Sequence, residues 1–173
     1  MLSALSDPFE IVRGLEWPEV EEPYETLAEN ALHKARTVGA TTGLAALADD
    51  TGLEVAALGG APGVRTARFA GPDASYDDNV EKLLEVLDGI GERAACFRTV
   101  VALVYPDGSD VIAEGVLAGR IATGRRGTFG FGYDPVFEVE ACGFRTLAEI
   151  AEEEKNRISH RAQALQALAR RLA

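Results

Sequence analysis

The feature that most constrains this chain is a pair of long apolar runs separated by a few turn residues. "CFRTVVALVYP" (96–106) and "DVIAEGVLAGRIA" (110–122) read as long strands, and "YPDGSD" between them predicts a hairpin. Helical patterns surround this pair. "TLAENALHKARTV" (26–38) sets Leu27, Ala31, Ala35 and Val38 at helical spacing, and Thr26 with Glu29 matches the S/T-x-x-E capping box. "YDDNVEKLLEVLDGI" (76–90) carries Val80, Leu83, Leu84 and Leu87 on one stripe. Thr146 with Glu149 repeats the capping pattern, and Ser159 is placed to cap a last helix whose Leu165, Leu168 and Leu172 share a face.

Further strands are expected at "FEIVRGL" (9–15), "LAALAD", "LEVAAL" and "VFEV", the middle two broken at Thr51-Gly52. Strands and helices interleave, which predicts an α/β or mixed α+β class with a central sheet. The 173 residues contain no repeat or low-complexity linker and read as one domain, 1–173.

A net charge of −11 argues against nonspecific nucleic-acid binding, which needs a basic surface to replace counterions. The sequence has no run of about 18 apolar residues and no basic n-region at its start, so neither a membrane span nor a leader is expected and the location reads as cytoplasmic. Cys96 and Cys142 lack metal-ligand spacing and read as buried thiols. Only three of the 17 basic residues are lysines (Lys34, Lys82 and Lys155), so each merits individual inspection.

Four segments can carry chemistry. In "ADDTGLEV" (48–55), Asp49 and Asp50 follow an apolar run, as the polar corner of a turn or as the carboxylate edge of a magnesium site. Glu21, Glu22 and Glu29 precede or open the first helix, as a solvated acidic loop and a capping residue or as further metal ligands. In "TFGFGYDP" (128–135), glycines alternate with Phe129, Phe131 and Tyr133, whose ring faces can stack on a base, while Asp134 can bond a base edge. "EEEKNRISHRAQAL" gathers Lys155, Arg157, His160 and Arg161 near a helix start, as a charged surface or an anion site. The chain has no P-loop motif and no convincing serine-hydrolase pattern.

Taken together, "TLAENALHKA", "ADDTGLEVAALGGAPGVRTARFAG", "GFGYDPVF" and "EEKNRISHRAQAL" resemble the inosine-triphosphate pyrophosphatase family, the house-cleaning (d)ITP/XTP pyrophosphatases. The resemblance implies an elongated central mixed sheet flanked by helices, two lobes with a cleft, a homodimer, and Mg²⁺-dependent attack of water on the α-phosphorus of a nucleoside triphosphate. By the same resemblance Asp50 is the metal-binding general base and Lys34 faces the phosphates. Glu22, and less directly Glu21, complete the metal set, and Thr51 touches substrate. Phe131, Gly132, Tyr133 and Asp134 read the base, and Lys155, His160 and Arg161 clamp the nucleotide. The family also carries an N-terminal strand and an S/T-x-N-x-x-K loop that this sequence lacks. Asn79 and Lys82 have the right interval, but Asp77 replaces Ser or Thr inside an apparent helix. The expectation is therefore an enzyme of this family shortened at its N-terminus. The alternatives are a catalytically impaired nucleotide-binding or dimer-scaffold homologue, and a pyrophosphatase for modified pyrimidine nucleotides.

Overall fold

The structure, a computed structural model, describes residues 10–173. Six strands form one sheet in the order β2-β1-β3-β4-β5-β6. They are β1 (Ala46–Val55), β2 (Pro62–Gly63), β3 (Ala94–Val104), β4 (Asp110–Ile121), β5 (Phe137–Val139) and β6 (Arg145–Thr146). Four helices accompany them: α1 (Leu27–Thr42), α2 (Tyr76–Val86), α3 (Glu152–Ile158) and α4 (His160–Leu172). The expected hairpin is β3–β4. Its turn closes through the Tyr105 amide on the Ser109 carbonyl at 2.9 Å, while Asp107 accepts from the Ser109 amide and hydroxyl. The pairs β1–β2, β4–β5 and β5–β6 are antiparallel, with Leu53 opposite Gly63, Ile121 opposite Phe137 and Glu138 opposite Thr146. Among the described residues no helix is long and apolar enough to cross a membrane.

The chain divides into two compact units, and the boundaries fall inside β1, β3 and β4. The first unit holds α1, α4 and the portions of those strands on its side of the boundaries. Burial is continuous along β3 from Thr99 to Val104, as expected of a strand covered on both faces. On one face Val101, Leu103 and Ala113 pack with Ala164, Leu165 and Leu168 of α4. Helix α1 buries Leu27, Asn30, Ala31 and Ala35. Its N-cap is Thr26, whose side chain accepts from the Glu29 amide at 3.2 Å, and Gly43 closes the far end in the left-handed conformation.

In the second unit the core gathers Leu53, Val55, Phe97, Leu117, Ile121 and Phe137 from strands with Val80, Leu83 and Leu87 from α2. Ser75 and Asp78 cap α2 reciprocally. Asn79 and Lys82 have structural work here and form no phosphate loop. Asn79, 1% exposed, accepts from the Ala70 amide at 2.7 Å and donates to the Ala67 and Ser75 carbonyls. Lys82 donates to the Phe69 carbonyl and lies over the Phe69 ring. Cys96 and Cys142 are free and half-buried, less enclosed than expected.

Two expectations need correction. Phe9 lies outside the described residues, and residues 10–15 form no strand. Ile11, Val12 and Leu15 are exposed there, and an isolated extended segment has no ladder to satisfy its backbone groups. The segments "LAALAD" and "LEVAAL" are not two strands: β1 runs unbroken through Asp49, Asp50, Thr51 and Gly52. Gly52 marks a close approach rather than a bend. A Cβ there would stand 2.8 Å from the Gly63 carbonyl oxygen on β2, so a side chain would push the two strands apart.

Replacing Asn79 with alanine orphans two backbone groups, the Ala70 amide and the Ala67 carbonyl. The unfolding free energy measured by denaturant titration should fall by about 2–4 kcal/mol.

Candidate active site

Because β1 continues through its acidic pair, the period of two sends neighbouring side chains to opposite faces. Asp50 points to the α1 side and is only 7% exposed. A carboxylate so enclosed needs partners. Asn30 Nδ2 donates to its Oδ2 at 3.2 Å and Lys34 Nζ to its Oδ1 at 3.2 Å. These two donors lie one helical turn apart on α1, so one helix face presents both. Asn30 is fully buried. It also binds the Tyr24 amide and carbonyl at 3.0 and 3.2 Å, tying the preceding segment to α1. That tether brings Glu22 to Lys34, with Oε1 2.7 Å from Nζ.

One ammonium thus binds two carboxylates. Burial pushes the Asp50 pKa up. The Lys34 cation pulls it back, the Glu22 charge pushes up again, and the net direction is upward. Burial pulls the Lys34 pKa down, but the bond to Glu22 and the charges of Asp50 and Glu22 outweigh it, so Lys34 stays firmly ammonium. Glu21 is exposed and is not brought to this cluster, and Glu29 is held by the Thr26 hydroxyl as a cap. Among the described residues no three His, Cys, Asp or Glu side chains gather as a metal group. Of the acids expected to bind metal, Glu22 and Asp50 are the two that meet, on the Lys34 ammonium.

Asp49 points the other way. Its Oδ2 accepts from Arg161 Nε and Nη2 at 3.0 and 2.9 Å, and from the Thr51 hydroxyl at 3.4 Å. Thr51 in turn contacts the Thr99 hydroxyl at 2.7 Å, and Thr99 contacts His160 Nδ1 at 2.5 Å. His160 and Arg161 open α4, directly after Ser159, which alone separates α3 from α4. Asp49, Thr51, Thr99, His160 and Arg161 therefore form one connected polar network on the α4 side. Asp49 is not an auxiliary to Asp50.

The glycine-aromatic loop lies in the second unit. Phe129 and Phe131 are 58% and 60% exposed, so their rings are open to a planar ligand. Asp134 is buried, accepts from the Phe131 amide at 2.9 Å and pairs with the Lys155 ammonium. Gly130 is required here. Its φ is +77°, and a Cβ would stand 2.0 Å from Asp134 Oδ2. Lys155 also lies 5.1 Å from the centre of the Phe131 ring, and Tyr76 packs against that ring from α2 at 5.9 Å. Gly132, with φ +61°, turns the chain after Phe131. Tyr133 departs from expectation: its ring is buried in the core and its hydroxyl donates to the Thr66 carbonyl, so it offers no face to a base. The same burial pushes the phenol pKa well up.

Asn30 and Thr99 were not singled out from sequence. Asn30 carried a signal, a polar residue at a position adjoining the apolar stripe of α1. Thr99 carried less, because a β-branched residue in "CFRTVVALV" also suits an ordinary core strand.

Comparison with known proteins finds relatives in sequence and in fold. The Ham1 family description matches residues 2–171. A protein of Elusimicrobium minutum named dITP/XTP pyrophosphatase is 52% identical over 154 residues, covering 88% of this chain and 78% of its own length. One of Methylococcus capsulatus with the same name is 52% identical over 170 residues, 95% of this chain and 84% of its own. The solved HAM1 protein of Coxiella burnetii superposes with a TM-score of 0.84 at 46% identity, covering 90% of this chain and 80% of that one. A nucleoside-triphosphatase, dITP/XTP pyrophosphatase, of Mycobacterium abscessus gives 0.76 at 45% identity, covering 92% and 82%.

Replacing Lys34 with methionine removes the cation that pairs with the buried Asp50 carboxylate. A carboxyl whose folded pKa stands above its unfolded value costs stability while ionised, and that cost disappears as pH falls through the folded pKa. Asp50 already has a raised pKa, and losing the ammonium raises it further. Lys34→Met should therefore be destabilised more at neutral pH than in the mildly acidic range, as read by thermal melts across pH.

Proposed function

The chain belongs to the Ham1 family, and on that premise we propose that it hydrolyses aberrant-base purine nucleoside triphosphates such as dITP, ITP and XTP to the monophosphate and pyrophosphate. The observation that carries the mechanism is Asp50, a buried mid-strand carboxylate with a raised pKa, next to a single ammonium shared with Glu22. Its chemistry suits hydrolysis of a phosphoanhydride, where positioning and charge neutralisation dominate.

Mg²⁺ is commonly bound through one or two carboxylates plus substrate phosphates, and Glu22 and Asp50 are the carboxylates that would hold it here. Bound there, the cation supplies charge neutralisation and a polarised water. Asp50 accepts the proton of the water that attacks the α-phosphorus, and its raised pKa brings it nearer to neutral pH as a base. Lys34 places a positive charge against the phosphates, and Asn30 holds the Asp50 carboxylate in orientation. Arg161, fixed by Asp49, together with His160 and Thr51 supplies polar contacts to the nucleotide.

In the second unit Phe131 offers a stacking face. The Asp134–Lys155 pair supports discrimination between a 6-oxo purine and adenine, because a site built around polar partners rejects a base that leaves them unpaired. The family resemblance further supports a homodimer acting on the cytoplasmic nucleotide pool.

The purified chain should release pyrophosphate from dITP and XTP when Mg²⁺ is present, with ATP and GTP turned over poorly. Asp50→Asn should lower kcat by about 100-fold or more. In the metal-free protein the Asp50 carboxyl should titrate above the ~3.9 of an ordinary aspartate, as read by its ¹³C chemical shift across pH. Full turnover by Asp50→Asn, or no release from any of these nucleotides, contradicts the assignment.

A further inference from the structure

The polar network on the α4 side has a direction. A carboxylate can only accept hydrogen bonds, and each threonine hydroxyl has one proton to give. Asp49 Oδ2 lies 3.4 Å from Thr51 Oγ1, Thr51 Oγ1 lies 2.7 Å from Thr99 Oγ1, and Thr99 Oγ1 lies 2.5 Å from His160 Nδ1. If Thr51 gives its proton to Asp49, Thr99 must give its own to Thr51, and His160 must then donate from Nδ1–H to Thr99. All three contacts become hydrogen bonds. In the reverse polarity Thr51 donates to Thr99 and Thr99 to a bare Nδ1, and the Thr51 lone pairs face the Asp49 carboxylate with no proton between them. The first polarity satisfies all three contacts and the second only two, and Thr99, fully buried, takes both of its hydroxyl partners from within the protein. Arg161 fixes the acceptor end, with both of its bonds falling on the same Oδ2 that Thr51 approaches.

We propose that Asp49, Thr51 and Thr99 form a hydroxyl relay that holds His160 in its Nδ1–H tautomer, with the lone pair on Nε2. Asp49 and Thr99 are then positioning residues, acting on the histidine through a shared line of protons. Neutral His160 meets its ligand as a hydrogen-bond acceptor. It takes a bond from an N–H or a water and disfavours a bare phosphate oxygen. The tautomer follows from the relay, and only its effect on turnover rests on the pyrophosphatase reading.

The full chain labelled with ¹⁵N-histidine tests this, because it contains just two histidines and His33→Gln identifies the other signal. At about pH 8.5, above the ~6.5 of an ordinary imidazole, two-bond ¹⁵N–¹H spectra should show His160 protonated on Nδ1 with Nε2 bare. Thr99→Val should abolish that preference and Thr99→Ser should keep it. In parallel kcat/KM should fall about tenfold or more in Thr99→Val and recover in Thr99→Ser. Wild-type His160 protonated on Nε2 overturns the relay whether or not the valine variant folds, and so does an unchanged pattern in a folded Thr99→Val protein. An Nδ1–H signal without pyrophosphate release removes the functional reading and leaves the relay standing. Turnover with the opposite tautomer does the reverse.

Discussion

The site depends on a buried carboxylate set in the middle of a strand. Asp50 is enclosed by β1 and α1 and shares the Lys34 ammonium with Glu22. Burial pushes the Asp50 pKa up, the Lys34 cation pulls it back and the Glu22 charge opposes that pull, leaving the net direction upward. Such a centre has two ways to relax: it can take up a proton, or it can take up a metal ion. A phosphoanhydride hydrolase uses both, since it needs a base for water and a cation for phosphate. Asn30 keeps the arrangement in place. By binding Tyr24 and Asp50 together it makes the segment before α1 part of the site.

Strand parity organises the rest. Two adjacent aspartates invite reading as one acidic pair, but a continuous β1 sends Asp50 toward α1 and Asp49 toward α4. One dipeptide therefore serves two networks. The first is charged and holds the base. The second runs through hydroxyls to the start of α4 and orients Arg161 and His160. Any slip of register by one residue would exchange the two acids and destroy both networks together.

The helices were legible in sequence because their apolar spacing and caps are local signals: Thr26 with Glu29 and the Val80–Leu83–Leu87 stripe act within a few residues. The hairpin was legible for the same reason. The unbroken β1 was not, because Asp, Thr and Gly together imitate a turn, whereas Gly52 is set by the approach of Gly63 from a strand that follows in sequence. Asp50, Lys34 and Glu22 were reached through the family resemblance rather than from spacing, and their contact is tertiary. Glu21 and the ring of Tyr133 were expected at the site and lie elsewhere, since an acidic run and an aromatic-glycine run do not reveal which members face inward. Asn30 and Thr99 escaped notice because a buried polar side chain declares its role only through its partners.

The central claim is that the buried Asp50 carboxylate, and not the acidic dipeptide as a whole, holds the cation. Calorimetric titration of Mg²⁺, with Mn²⁺ as a paramagnetic check, into the wild-type chain, Asp50→Asn and Asp49→Asn tests it directly. The account predicts that Asp50→Asn loses the metal while Asp49→Asn binds it as the wild type does. Equal loss in both variants, or undiminished binding by Asp50→Asn, would contradict it.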